Sequence, residues 1–175
     1  MTSSLVLAVI TKDKPGVVDR LAGIVAEHQG NWEASRMVRL SGQFAGVLKI
    51  SVPTTNSAAL TSQLNALSDE GYTVIIERSA EELNQAGQRR VKLDLVGGDR
   101  PGIVSRISHV LANSGVNLEE LHTDQDSAPL GGGQLFTVSA ELVIPGDLSL
   151  RDLRRSLEDI ADDLMVDIAI LPLKP

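Results

Sequence analysis

The sequence contains no cysteine, which removes disulfides, thiolate metal sites and cysteine nucleophiles from consideration together. Aromatic residues are almost as scarce: Trp32, Tyr72, Phe44 and Phe136 are the whole set, 2% of 175 residues. The core must therefore be aliphatic, and the stacking platforms that single-stranded nucleic acids need are missing. No apolar run approaches the ~18 residues of a membrane span. Met1-Thr2-Ser3-Ser4 leads into a short apolar stretch without a basic leader, so the expectation is a cytoplasmic protein with no membrane association.

Positive charge is also in short supply. A net charge of −7 and a pI near 4.9 repel phosphate backbones and anionic lipid, because nucleic-acid binding rests on a basic footprint. Gln88-Arg89-Arg90 and Arg151 with Arg154 and Arg155 are too small and too far apart to make one, and read as solvated surface. Direct contact with nucleic acid is not expected.

Apolar residues at 42% and charged residues at 22% match a folded protein. The length suits one ordinary domain or two small ones. Two small domains have thin cores and gain burial by packing together or by forming oligomers.

The chain repeats itself. Asp13-Lys14-Pro15-Gly16-Val17-Val18-Asp19-Arg20-Leu21 returns as Asp99-Arg100-Pro101-Gly102-Ile103-Val104-Ser105-Arg106-Ile107, at an offset of 101 − 15 = 86. Between Asp13–Glu33 and Asp99–Glu119 the register holds without a gap, and eight of 21 positions are identical. Val17, Val18, Leu21, Ile24 and Val25 map onto Ile103, Val104, Ile107, Val110 and Leu111, the spacing of an amphipathic helix.

An aliphatic strand precedes each helix, residues 5–11 and 91–97. In the first copy Val38, Leu40, Val47, Leu48, Ile50 and Val52 predict two strands turning near Ser41-Gly42, with Pro53 ending the pairing. A second helix follows in each half, carrying Leu60, Leu64 and Leu67 in one and Leu150, Leu153, Leu157, Ile160 and Leu164 in the other. Each half closes with a strand, residues 72–77 and 166–171. Strand, helix, strand, strand, helix, strand, twice over, predicts an α+β chain of two ferredoxin-like βαββαβ units in tandem, each an antiparallel sheet with both helices on one face. The expected division is a first domain over 1–80, a linker over 81–88 that reads as polar coil or a short exposed helix, and a second domain over 89–175. Ser127 to Gly133 is an irregular piece where the first copy has a tight turn.

The tetrapeptides joining first strand to first helix are the most informative feature. Pro15 and Pro101 suit a first helical turn, having no N–H to leave unpaired. Gly16 and Gly102 permit close approach of a backbone or a ligand. Free N–H groups and the helix dipole favour a carboxylate there, and Asp13 or Asp99 would meet an ammonium group, so one loop offers both halves of a zwitterionic amino acid. The competing reading is that the aspartates cap their helices.

These loops, with Gly30-Asn31 and Val116-Asn117 opening the second strands, resemble the signature of ACT domains over nearly the whole chain. With Ser35-Arg36-Met37-Val38-Arg39-Leu40-Ser41-Gly42-Gln43-Phe44 and no catalytic part, the chain is similar to the glycine cleavage system transcriptional repressor family. The resemblance implies a ligand-binding regulator with amino-acid sites at Asp13, Lys14, Pro15, Gly16 and Val17 with Asn31, and at Asp99, Arg100, Pro101, Gly102 and Ile103 with Asn117. It implies glycine or serine as ligand, and repression exerted through a protein partner such as a DNA-binding regulator. Thr11-Lys12 depart from the family's glycine before the first Asp, whereas Gly97-Gly98 keep it, which favours the second loop. Trp32 stands where a smaller residue is usual, either as core or crowding a first pocket.

Other chemistry fits less well. His122, Asp124 and Asp126 alternate along a strand and offer a metal site, though alternating polar residues on a strand edge are ordinary. His28 and His109 fall on polar helix faces. Gly131-Gly132-Gly133 lacks the spacing of a phosphate-binding loop and reads as a flexible hairpin. No Gly-x-Ser-x-Gly or His-Glu-x-x-His is present, and Asp162-Asp163, adjacent on a helix, face different ways. The expectation is a protein without catalysis or cofactor. Exposed sheet edges predict a homodimer. A protein-interaction module without a ligand, or a regulatory subunit of an amino-acid enzyme, is the alternative.

Overall fold

A computed structural model describes residues 1–79, 87–127 and 133–173. The chain divides into two compact units, Met1–Glu82 and Leu83–Pro175. The anticipated linker helix and most of the Ser127–Gly133 piece lie outside the described residues.

The first unit runs β1 (Thr2–Lys12), α1 (Val17–Glu27), β2 (Asn31–Leu40), β3 (Gln43–Pro53), α2 (Ser57–Ala66) and β4 (Tyr72–Arg78). The second runs β5 (Arg89–Gly98), α3 (Ile103–Asn113), β6 (Asn117–Ser127), β7 (Gln134–Ile144), α4 (Leu150–Leu164) and β8 (Val166–Pro172). The sheets are ordered β2-β3-β1-β4 and β6-β7-β5-β8, antiparallel at every junction. The chain is thus α+β with two βαββαβ units in tandem, as its periodicities predict.

Alternation along the central strands decides which face is buried. Leu5, Leu7 and Val9 of β1 are at most 4% exposed and turn inward with Leu48, Ile50 and Val52 of β3, where α1 supplies Leu21, Ile24 and Val25 and α2 supplies Leu60 and Leu64. In the second unit Val91, Leu93 and Leu95 do the same beneath Ile107, Leu111, Leu153 and Leu157. Trp32 packs partly buried against the first core, at the end of β2 that pairs with Ile50. It is core material and lies away from the Asp13 loop. Among the described residues Thr11 is the buried polar one, its hydroxyl donating to the Gly71 carbonyl at 3.2 Å.

Two departures from the expected layout have local causes. Leu67 belongs to a 3-10 turn over Leu67–Glu70, not to an α-helix, because the chain tightens there before Gly71 turns left-handed at φ 84°. The corresponding α4 is a full helix of 15 residues, opened by Ser149, whose hydroxyl accepts from the Asp152 N–H. Both second strands carry a bulge, at Glu33 and at Glu119, so this repeated glutamate marks an extra residue in the edge strand. Among the described residues no helix is long and apolar enough to cross a membrane.

Another repeated residue proves to be a tie between helices. Arg20 on α1 pairs with Glu70 at 2.6 Å, and Arg106 on α3 pairs with Asp163 on α4 at 2.7 Å. The hydrogen bond from Arg20 holds the Glu70 carboxyl below the ordinary glutamate range. Its stabilisation is thus present above the unfolded pKa and lost as pH falls through the lowered folded one. Arg20→Met should narrow its stability gap from the parent protein as pH drops through the glutamate range, an effect read by urea titration at several pH values and reduced by salt, since the pair is half exposed. Leu93→Ala, at a fully buried site, should destabilise the second unit by about 2–5 kcal/mol, measured by circular dichroism.

Candidate functional site

Each candidate loop hangs from the end of a central strand. The Asp13 N–H donates to Gly42 O at 3.0 Å and the Asp99 N–H to Gln134 O at 2.9 Å, anchoring both loops to the following hairpin. The helix does not start at proline. Gly16 and Gly102 are the cap residues, with φ 89° and 92°, and the helices begin at Val17 and Ile103. Pro15 and Pro101 therefore stand before the cap, where they stiffen the approach to a left-handed turn.

Neither helix has a side-chain cap, so the aspartates are not capping residues. The Asp13 carboxylate meets Arg39 Nε of β2 at 2.6 Å. The Asp99 carboxylate accepts from Gln125 Nε2 of β6 at 2.6 Å. Arg39 and Gln125 are themselves 86 residues apart, so the repeat continues through the second strand, and both Asp side chains are turned toward the same structural neighbour.

The second residues of the two loops also differ in company. Lys14 Nζ sits 5.1 Å from the centre of the Tyr72 ring, a cation–π distance. Burial pushes the Tyr72 phenol above its ordinary value. Among the described residues Arg100 reaches only the thioether of Met165, at 3.9 Å, and sulfur is a weak acceptor.

An open depression of about 470 Å³ lies at the second loop, lined by Asp99, Arg100, Gly102, Ile103, Val104, Ser105 and Phe136. It holds a carboxylate, a guanidinium, a hydroxyl and an apolar wall, and the N-terminus of α3 opens onto it. Pro101 joins its residues without lining it.

The asparagines lie elsewhere. Asn117 pairs with Val143, at the far end of β7 from Gln134, and Asn31 pairs with Ser51, far from Gly42. Nine residues at ~3.4 Å each separate loop from asparagine by roughly 30 Å within one unit. A cleft shared by Asp99 and Asn117 is therefore not formed inside a unit.

His122 Nε2 is 2.9 Å from Glu120 Oε1, and among the described residues no group of three His, Asp or Glu side chains is placed to hold a metal. His109 is exposed and bonded to Asn113 at 3.0 Å, while His28 rests its Nδ1 3.0 Å from the Ile24 carbonyl.

The ACT domain profile matches residues 3–74, and a second ACT domain profile matches residues 85–164. The chain belongs to the ACT-domain family. Both ACT domains share their fold with solved structures across the full chain. A protein of unknown function from Galdieria sulphuraria is 28% identical, with 99% of this chain and 100% of that one covered and a TM-score of 0.86. A protein provisionally described as a glycine cleavage system transcriptional repressor is 16% identical, with 100% and 99% covered and a TM-score of 0.70. At that identity the likeness is one of fold. No curated protein sequence matches the chain.

Sequence reasoning missed Arg39, Gln125 and Phe136 at the ACT loops. The offset of 86 carried through β2 would have found the first two. Gly102 would meet nothing within 4 Å of an added Cβ, so its requirement is conformational. Gly102→Ala should cost about 1–2 kcal/mol through the left-handed backbone alone, and a thermal melt of the variant checks it.

Proposed function

We propose that this protein is a non-enzymatic regulator that responds to a small free amino acid bound at the Asp99–Ile103 loop of its second ACT domain. The observation that carries the reading is the Asp99 carboxylate: it is free of any capping duty and stands with Arg100 at the mouth of a depression beside a helix N-terminus. An ammonium group takes the aspartate, and a carboxylate takes the guanidinium and the free N–H groups. Ile103, Val104 and Phe136 form the apolar wall, which suits a small side chain.

The output is a contact with another protein. At a net charge of −7 the chain is poorly suited to touch DNA itself, so repression of glycine cleavage genes, in keeping with the full-length likeness of fold to the repressor-like structure, would run through a DNA-binding partner. Ligand favours one arrangement of the protein and shifts its population, which changes what the partner meets. Asn117 enters such a site only from another unit, where two copies of the chain come together as a homodimer. The Asp13–Val17 loop with Asn31 is the corresponding but weaker position.

The test is a thermal melt of the full chain with each of the twenty amino acids at millimolar concentration. Glycine or serine should raise the transition, by about 2.7 kcal/mol of stabilisation at a hundredfold excess over Kd, and Asp99→Ala or Arg100→Ala should erase the shift. A melt unmoved by every amino acid sinks the sensing reading and leaves a pure interaction module.

A further inference from the structure

The two loops are alike in backbone and unlike in charge. Gly16 and Gly102 have the same left-handed geometry, and each loop aspartate hydrogen-bonds the equivalent position of the second strand. In the first unit that position is Arg39, 2.6 Å from the Asp13 carboxylate. In the second it is Gln125, whose neutral amide stands 2.6 Å from the Asp99 carboxylate. Both partners fix where the aspartate points, but only the arginine cancels its charge.

The same contrast recurs one residue on. Lys14 lies over the Tyr72 ring at 5.1 Å, whereas Arg100 has no anionic or aromatic partner among the described residues and touches only the Met165 thioether. The first loop thus has an internal partner for each of its charges, whereas among the described residues no opposite charge from elsewhere in the fold meets the carboxylate or the guanidinium of the second.

From this difference we infer that position 39/125 on the second strand sets which loop accepts a zwitterion: Gln125 orients Asp99 while leaving its charge for a ligand ammonium, and Arg39 occupies Asp13 in place of that ammonium. The inference rests on the amino-acid-binding reading above and adds to it a specificity-determining residue and a stoichiometry of one ligand per chain. The physical basis is competition for a single carboxylate. A tethered guanidinium at hydrogen-bond distance neutralises the aspartate continuously, and a free ammonium must displace it. An amide donates one hydrogen bond and leaves the remaining acceptor sites and the negative charge in place.

Three single variants of the full chain test this, each followed by isothermal titration with glycine and with L-serine and by circular dichroism to confirm folding. The parent protein should bind one amino acid per chain. Gln125→Arg should weaken binding at least tenfold, as expected when a ligand charge loses its partner. Gln125→Met, which removes the hydrogen bond but adds no charge, should weaken it by clearly less than Gln125→Arg. Arg39→Gln should raise the stoichiometry toward two. Equal binding at both loops in the parent protein, or Gln125→Arg no worse than Gln125→Met, overturns the inference while leaving amino-acid sensing intact. Absence of binding in the parent and in Arg39→Gln alike overturns the sensing reading itself, and the inference with it.

Discussion

Everything in each unit depends on burial of one row of side chains from a strand that is paired on both sides. β1 lies between β3 and β4, and β5 between β7 and β8, so their backbones are satisfied laterally and Leu5, Leu7, Val9 and Val91, Leu93, Leu95 are left to meet the helices. With so few aromatics the core is made of small aliphatic contacts, and the period of two along these strands fixes which face the helices cover. The loop that carries Asp13 or Asp99 is an extension of that central strand. Its position is therefore as firm as the most deeply buried part of the unit, although the loop itself is exposed.

Much of this was legible from periodicity and repetition. The inward row of β1, the apolar stripe of α1 and the order of elements all follow from residue spacing, because a strand alternates and a helix returns every three to four residues. The offset of 86 did more. Several identities it brings out have separate physical duties in the fold: Gly16 and Gly102 turn the chain left-handed, Arg20 and Arg106 tie two helices together, and Glu33 and Glu119 mark a bulge in the edge strand. Identity between copies pointed to these positions without saying which duty each performs.

What the sequence did not disclose is tertiary. An aspartate before a helix has the local pattern of a cap, and only the backbone at Gly16 and Gly102 shows that the cap is glycine, leaving the carboxylate to look across to the second strand. Asp99 and Asn117 share a family signature, yet α3 runs between them and leaves one at each end of the sheet. Spacing along the chain says nothing about this, because it is the register of β6 on β7 that sets the distance. Arg39 and Gln125 escaped notice for the opposite reason. They differ in kind, and a repeat search rewards sameness.

The scarcity of aromatics has one more consequence. Trp32 is the sole tryptophan and is packed against the core of the first unit, while the second unit has Phe136 and no tryptophan or tyrosine. Intrinsic fluorescence at long wavelength therefore watches the first unit alone, and far-ultraviolet dichroism sees both. Unfolding followed by the two signals separates the units without any label: coincident curves mean the halves melt as one cooperative body, and divergent curves mean that each half holds itself together.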